Sequence, residues 1–275
     1  MAGSSAEAYD VVIAGGGMIG SALAIALAPL ELQVAVVEPV ARGGAPHPSF
    51  DERSTALSRS SRRMFEAMGL WEEVAAASTP ITSIHVSDRG RFGFSHIDAA
   101  EQGVDALAHV VINRVLGEVL REHGTAVDGV DWICPGRVTA VHTSAGEAEI
   151  EVATDGGNRK LACSLLIAAD GADSAVRGML GIGATRVDYR QTAIIGNLLP
   201  EIRPANRAFE RFTDTGALAL LPIPQERAAF VWVLPSGEAA QVGSLPDAEI
   251  LEQLQASFGY RLGRFSRIGK RAAYP

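Results

Sequence analysis

Three glycines at fixed spacing, Gly15, Gly17 and Gly20, followed by an acid, Glu38, are the residues of this chain best suited to chemistry. In a G-x-G-x-x-G run the first glycine permits a tight turn, the second admits a pyrophosphate against the backbone, and the third lets a helix pack closely on the preceding strand. A helix opening there offers unpaired N–H groups and a partial positive charge to phosphate. Glu38 closes the following strand, where an acid accepts hydrogen bonds from a ribose diol. Its charge would repel a 2′-phosphate, so NADP is disfavoured at this site. The spacing alone does not separate FAD from NAD.

Two further segments carry chemistry. Asp170-Gly171-Ala172-Asp173-Ser174-Ala175-Val176-Arg177 follows an apolar strand. Its glycine lets the backbone turn close to a ligand, and Ser174 can cap the next helix. Asp51-Glu52-Arg53-Ser54-Thr55-Ala56-Leu57-Ser58 offers Arg53, whose forked guanidinium pairs with phosphate or carbonyl oxygens. Arg114 opens a later helix. The six histidines show no HExxH or paired spacing, Cys134 and Cys163 form no CxxC, and there is no GxSxG. Metal binding and nucleophilic catalysis are therefore not expected, and no general base is named by the sequence.

The elements around these residues read clearly at the start. Asp10–Ala14 is a buried strand, Ser21–Ala28 a helix closed by Pro29, and Gln33–Glu38 a second strand, which together make a βαβ unit. A polar loop runs over 39–52, and a helix is expected over about 58–77. Alternation over 81–94 predicts antiparallel strands. His109–Ile112 is strand-like, and Asn113–His123 is a helix with one apolar face. Several strands follow over 130–168, with a turn at Asp155-Gly156-Gly157-Asn158. The chain is β-rich again from Val187, with a helix near Asp247–Phe258.

Composition bounds the class. The 275 residues are 47% hydrophobic, and 29 glycines with 13 prolines fall short of the ~25–30% share of low-complexity chains. This is a globular protein of one or two domains. A net charge of −8 argues against a nucleic-acid binder. The cysteine usage suits a reducing cytosol. The opening residues have no signal-peptide pattern. The longest apolar stretch, Met18–Leu30, is short of the ~20 residues of a membrane span.

The Asp170–Arg177 segment resembles the DGxxSxxR signature of class A flavoprotein aromatic monooxygenases. The Asp51–Ser58 segment is similar to the DxRxxALS stretch of the ubiquinone-biosynthesis hydroxylases within that class. So are Val86-Ser87-Asp88-Arg89-Gly90, Ala208–Thr213, Ala219–Pro222 and Gly269–Pro275. The resemblance implies an α/β chain: a Rossmann-like FAD-binding domain over 1–80 and 107–186, with an inserted β-rich substrate domain over 81–106 and 187–275. It implies cofactor contacts from Gly15, Gly17, Gly20, Glu38, Arg53, Arg114, Asp170 and Gly171. It also implies FAD as cofactor and NAD(P)H as transient co-substrate, O2 adding at flavin C4a, and hydroxylation of a polyprenyl phenol. Such a substrate suggests a cytoplasmic protein peripheral to the inner membrane or to a lipid-carrying assembly.

The third signature of that class would fall beyond Tyr274-Pro275, so the chain reads as the N-terminal portion of a longer enzyme. On that reading the 275 residues alone would hold FAD weakly or not at all. Two alternatives stand beside it: an NAD-dependent dehydrogenase, and a non-catalytic chain of the same family.

Overall fold

In the computed structural model, residues 6–41 and 53–275 are described. The first five residues and 42–52, including His47 and the Asp51-Glu52 end of the Arg53 segment, lie outside them. The chain divides into two compact units: Met1–Asp51 with Arg114–Arg186, and Glu52–Asn113 with Val187–Pro275.

The first unit is built on a six-stranded sheet. Four parallel strands lie in the order Val130–Ile133, Val34–Val37, Glu7–Ala14, Gly157–Ala168. Glu147–Thr154 and Gly136–Ser144 extend the sheet as antiparallel neighbours. Val34–Val37 is buried at every position, as a β-branched run must be when both faces of a parallel sheet are covered. On one face Val11, Ile13, Val34 and Val36 pack with Ala24 of the helix Met18–Leu27. On the other, Val12, Ala14, Ala35 and Val37 join Val138, Ile150 and Leu161. The expected turn at 155–158 is a two-residue hairpin loop, with Thr154 opposite Gly157 and Gly157 at φ +113°. The second strand lies on one side of Glu7–Ala14, and the last strand returns to the other. The carboxyl end of Glu7–Ala14 is thus a topological switch point, where open α/β sheets bind ligands.

The second unit holds a mixed sheet. From one edge its strands are Phe265–Ile268, Gln191–Pro200, Arg227–Pro235, Gly216–Ile223, Arg207–Thr213, Ser83–Asp88 and Phe94–Asp98, and Ala272–Tyr274 also pairs Gln191–Pro200. Helices Ser236–Gly243 and Asp247–Phe258 cover one face, where Phe230, Leu218 and Leu234 pack with Ile250, Leu254 and Phe258. A small sheet, Ser54–Ser58 with Ala108–Ile112 and Thr79–Ile81, belongs to the same unit.

Two expectations differ from this architecture. The helix expected over 58–77 is two helices, Arg59–Ala67 and Trp71–Ala76. Ser58 ends a strand and caps the first helix by accepting the Ser61 N–H, and Gly69 at φ +73° breaks the run. The unit boundaries also fall elsewhere. Residues 53–80 and 107–113 group with the second unit, because Ser54–Ser58 and Thr79–Ile81 both pair with Ala108–Ile112.

The second unit also contains a histidine pair, with His85 buried and His96 exposed. His85 is 3% exposed, and its Nδ1 lies 2.7 Å from His96 Nε2. Burial, and then the charges of Arg261, His96, Arg207 and Arg211, hold the His85 pKa below its ordinary value. The unfolded chain therefore takes up a proton on acidification before the native state does, so stability falls as pH drops through ~6.5. Chemical denaturation between about pH 7.5 and 5.5 should show this loss, and His85→Phe, which keeps a ring among Phe94 and Phe209, should flatten it.

Candidate cofactor site

The site begins where the strand Glu7–Ala14 ends. The Gly15 N–H donates to Val37 O at 2.8 Å, and the Ala169 N–H donates to Ala14 O at 2.7 Å, so three strand ends are tied together. Gly15 has φ +105°, and a Cβ there would sit 2.4 Å from Ala169 O. At Gly20 a Cβ would sit 1.8 Å from Gly15 O, so only glycine lets the helix come this close to the turn. Gly17 is the extended N-cap of Met18–Leu27, and no side chain caps it. The first N–H groups of that ten-residue helix are thus left to an anionic ligand.

Glu38 has a role that the spacing did not predict. It is only 6% exposed. One carboxylate oxygen accepts the Gly16 N–H at 2.6 Å, and the other accepts the Val40 N–H at 2.7 Å. A Cβ on Gly16 would lie 2.9 Å from both Glu38 Cβ and Trp132 Cζ3. The middle glycine is therefore required by packing, and the acid fastens the turn to the second strand. Ser21 completes the lock by donating to Gly16 O at 2.8 Å.

Asp170 and Gly171 face the same cavity. Gly171 takes φ +88°. Asp170 Oδ2 accepts the Val176 N–H at 3.1 Å, and Ser174 caps the short helix Ala175–Met179 by accepting the Arg177 N–H at 3.0 Å. Asp170 Oδ1 is buried and has no hydrogen-bond partner among the described residues. Leaving such an atom unsatisfied costs roughly 1–3 kcal/mol or more, so a ligand hydroxyl or N–H is the partner this geometry asks for.

A cavity of about 360 Å³ opens over these groups, lined among others by Gly15, Gly17, Glu38, Arg137, Asp170 and Gly171. That volume is within the ~300–1,000 Å³ of small-molecule sites. Gly20 supports the cavity from behind the turn. Arg53 and Arg114 are not in its lining. Arg53 lies in the second unit with its guanidinium 4.6 Å from the centre of the Tyr274 ring. Arg114 pairs with Glu118 at 2.9 Å along its own helix. Sequence reasoning missed Arg137, Gly136 and Asp173 of the lining. Asp173 stood in the quoted segment and could have been included. Gly136 and Arg137 carry no local signal, because long-range contact brings them there.

The residue pattern over 8–272 matches the model of the FAD-binding domain family. The chain belongs to that family. Its cofactor is therefore FAD, and the NAD-dependent dehydrogenase alternative falls away. The chain is similar to ubiquinone hydroxylase UbiL of Rhodospirillum rubrum, at 31% identity over 99% of this chain and 62% of the relative. It is also similar to 3-demethoxyubiquinol 3-hydroxylase of Escherichia coli, at 30% identity over 92% of this chain and 64% of that protein. The fold matches p-nitrophenol 4-monooxygenase from Pseudomonas putida, with a TM-score of 0.76 at 17% identity over 98% of this chain and 68% of the other. The chain thus spans somewhat under two thirds of the length of these two curated relatives.

The residues present fit a dinucleotide: glycines that admit a backbone approach, an uncapped helix start, and a buried acceptor in need of a donor. Asp170→Asn should leave the thermal stability of the cofactor-free protein little changed, because the amide oxygen still accepts the Val176 N–H and an unpaired buried N–H2 takes the place of the unpaired oxygen. It should weaken FAD binding about tenfold, or ~1.4 kcal/mol. Differential scanning fluorimetry and a flavin fluorescence titration on the same samples check the two outcomes.

Proposed function

We propose that the protein binds FAD in this cavity and, within the whole enzyme, hydroxylates a prenylated phenol of ubiquinone biosynthesis with NAD(P)H and O2. The observation that carries the reading is the cavity at the switch point, which gathers the glycine turn, Glu38 and the unpartnered Asp170 Oδ1. Gly15, Gly17 and the start of Met18–Leu27 would receive the pyrophosphate through backbone N–H groups. Glu38, besides fastening the turn, retains lone pairs that can accept from a ribose hydroxyl, since an ionised carboxylate has about four acceptor sites. Asp170 would accept from a further hydroxyl of the cofactor, and Gly171 would let the backbone pass it. Arg53 and Arg114 are proposed as additional contacts on the family resemblance.

When bound, the flavin supplies the oxygen-activating redox chemistry, and the protein's part is position and electrostatics. Only one dinucleotide fingerprint is present, so the nicotinamide would dock transiently. The names of the relatives, both hydroxylases acting in ubiquinone chemistry, support the substrate class. Among the described residues no helix is long and apolar enough to cross a membrane. The prenylated substrate class supports access through contact with the inner membrane or with a lipid-carrying assembly.

Titration of the whole enzyme, of which these 275 residues are read as the N-terminal portion, with FAD, beside NAD+ as control, tests the reading. Saturable quenching of FAD fluorescence without NAD+ binding is expected. Binding of NAD+ in place of FAD would overturn it.

A further inference from the structure

The sheet of the second unit sets one acid in an apolar row. Strand pairing aligns Ala272, Ile195, Val231, Ala219, Glu210 and Val86 on a single face. All six are half-buried, and only Glu210 can ionise. The neighbouring residues of the same strands, Phe209, Leu220 and Phe230, point to the other face, where they join the core formed with helices Ser236–Gly243 and Asp247–Phe258. Arg211 is turned to that side as well, donating to Ser257 O at 3.0 Å. Glu210 therefore has no cation beside it, and among the described residues its carboxylate makes no hydrogen bond or ion pair. Burial raises its pKa.

An unpaired, half-buried carboxylate is expensive to keep, and such groups cluster at functional sites. What this row offers a ligand is specific. A carboxylate is an acceptor only, so its partner must donate a hydrogen bond. The surrounding Ala219, Val231, Ile195 and Val86 favour an apolar ring and hydrocarbon, and the alanines leave space beside the acid.

We propose that Glu210 accepts the hydroxyl hydrogen bond of the prenylated phenol and takes its proton as the ring is hydroxylated. This rests on the reading of the protein as a phenol hydroxylase. In the proton step the phenol O–H bond breaks, an O–H bond forms on the Glu210 carboxylate, and the electron pair stays on the phenolate oxygen. Charge then flows into the ring and makes its carbons better nucleophiles. The raised pKa of Glu210 narrows its gap to a phenol, which ionises near ~10, and proton transfer by a positioned base contributes roughly 10²–10⁴-fold.

The test compares a prenylated phenol with its O-methyl ether, which keeps the shape but cannot donate. Binding of each to the FAD-saturated protein is measured by calorimetry, for wild type, Glu210→Leu and Glu210→Gln. Wild type should prefer the phenol at least about tenfold, the range for a hydrogen bond to a charged group. Glu210→Leu should lose that preference, and Glu210→Gln, which keeps an amide acceptor, should retain part of it. Unchanged FAD affinity in the variants would show that the fold is intact. A preference that survives in Glu210→Leu, or a wild type that binds the two probes equally or not at all, would overturn the proposal. The FAD titration of the same samples, made on the whole enzyme, reports separately on the parent reading: FAD bound without a phenol preference sinks only the assignment of Glu210, and no FAD bound by the whole enzyme sinks the reading itself.

Discussion

The cofactor cavity depends on one buried carboxylate gripping two backbone amides. Glu38 joins the Gly16 N–H to the Val40 N–H, and so fixes the turn at the end of the first strand against the exit of the second. Charge-assisted hydrogen bonds of this kind are roughly twice as strong as neutral ones. Around this tether the close contacts follow. Gly15 lies under Ala169 O, Gly20 lies under Gly15 O, and the helix Met18–Leu27 starts with its first amides uncapped. The turn is thereby organised before any ligand arrives, which reduces the ordering that binding must do.

Much of this was legible in the sequence, because the signals are local. Glycine spacing, a β-branched strand before it and an acid at the end of the next strand all lie within 30 residues, and the Asp170 segment announces its own turn and cap. The rest depends on long-range pairing. The tether from Glu38 to Gly16 could not be told from a ribose contact, since both need the same acid at the same strand end. Gly136 and Arg137 reach the cavity through long-range contact, the Gly136 N–H donating to Glu38 O at 2.8 Å. The grouping of 53–80 with the second unit was not legible, because Ser54–Ser58 finds its partner in Ala108–Ile112, far along the chain. Gly69 was the available sign that the helix over 58–77 would break, and the apolar periodicity outweighed it.

Two carboxylates stand out for what they lack. Among the described residues Asp170 has a buried oxygen without a donor, and Glu210, on an apolar sheet face, has no ion-pair or hydrogen-bond partner. Other acids of the chain behave differently. Glu7 and Asp131 share Arg159 and the Tyr9 hydroxyl, and Asp105 pairs with Arg62. Natural proteins tend to give up stability at sites where activity needs it. Among the described residues the two acids fall one in each unit.

Cofactor binding in this unit depends on a cleft organised by Glu38, with the helix-start amides beside it not capped by a side chain. Amide hydrogen exchange, resolved by residue with and without FAD, tests this most directly. Without FAD the Gly16 and Val40 amides should already be protected while those of Met18 and Ile19 exchange freely, and adding FAD should slow Met18 and Ile19. A Gly16 amide that exchanges freely in the absence of FAD, or helix-start amides that FAD leaves unchanged, would contradict it.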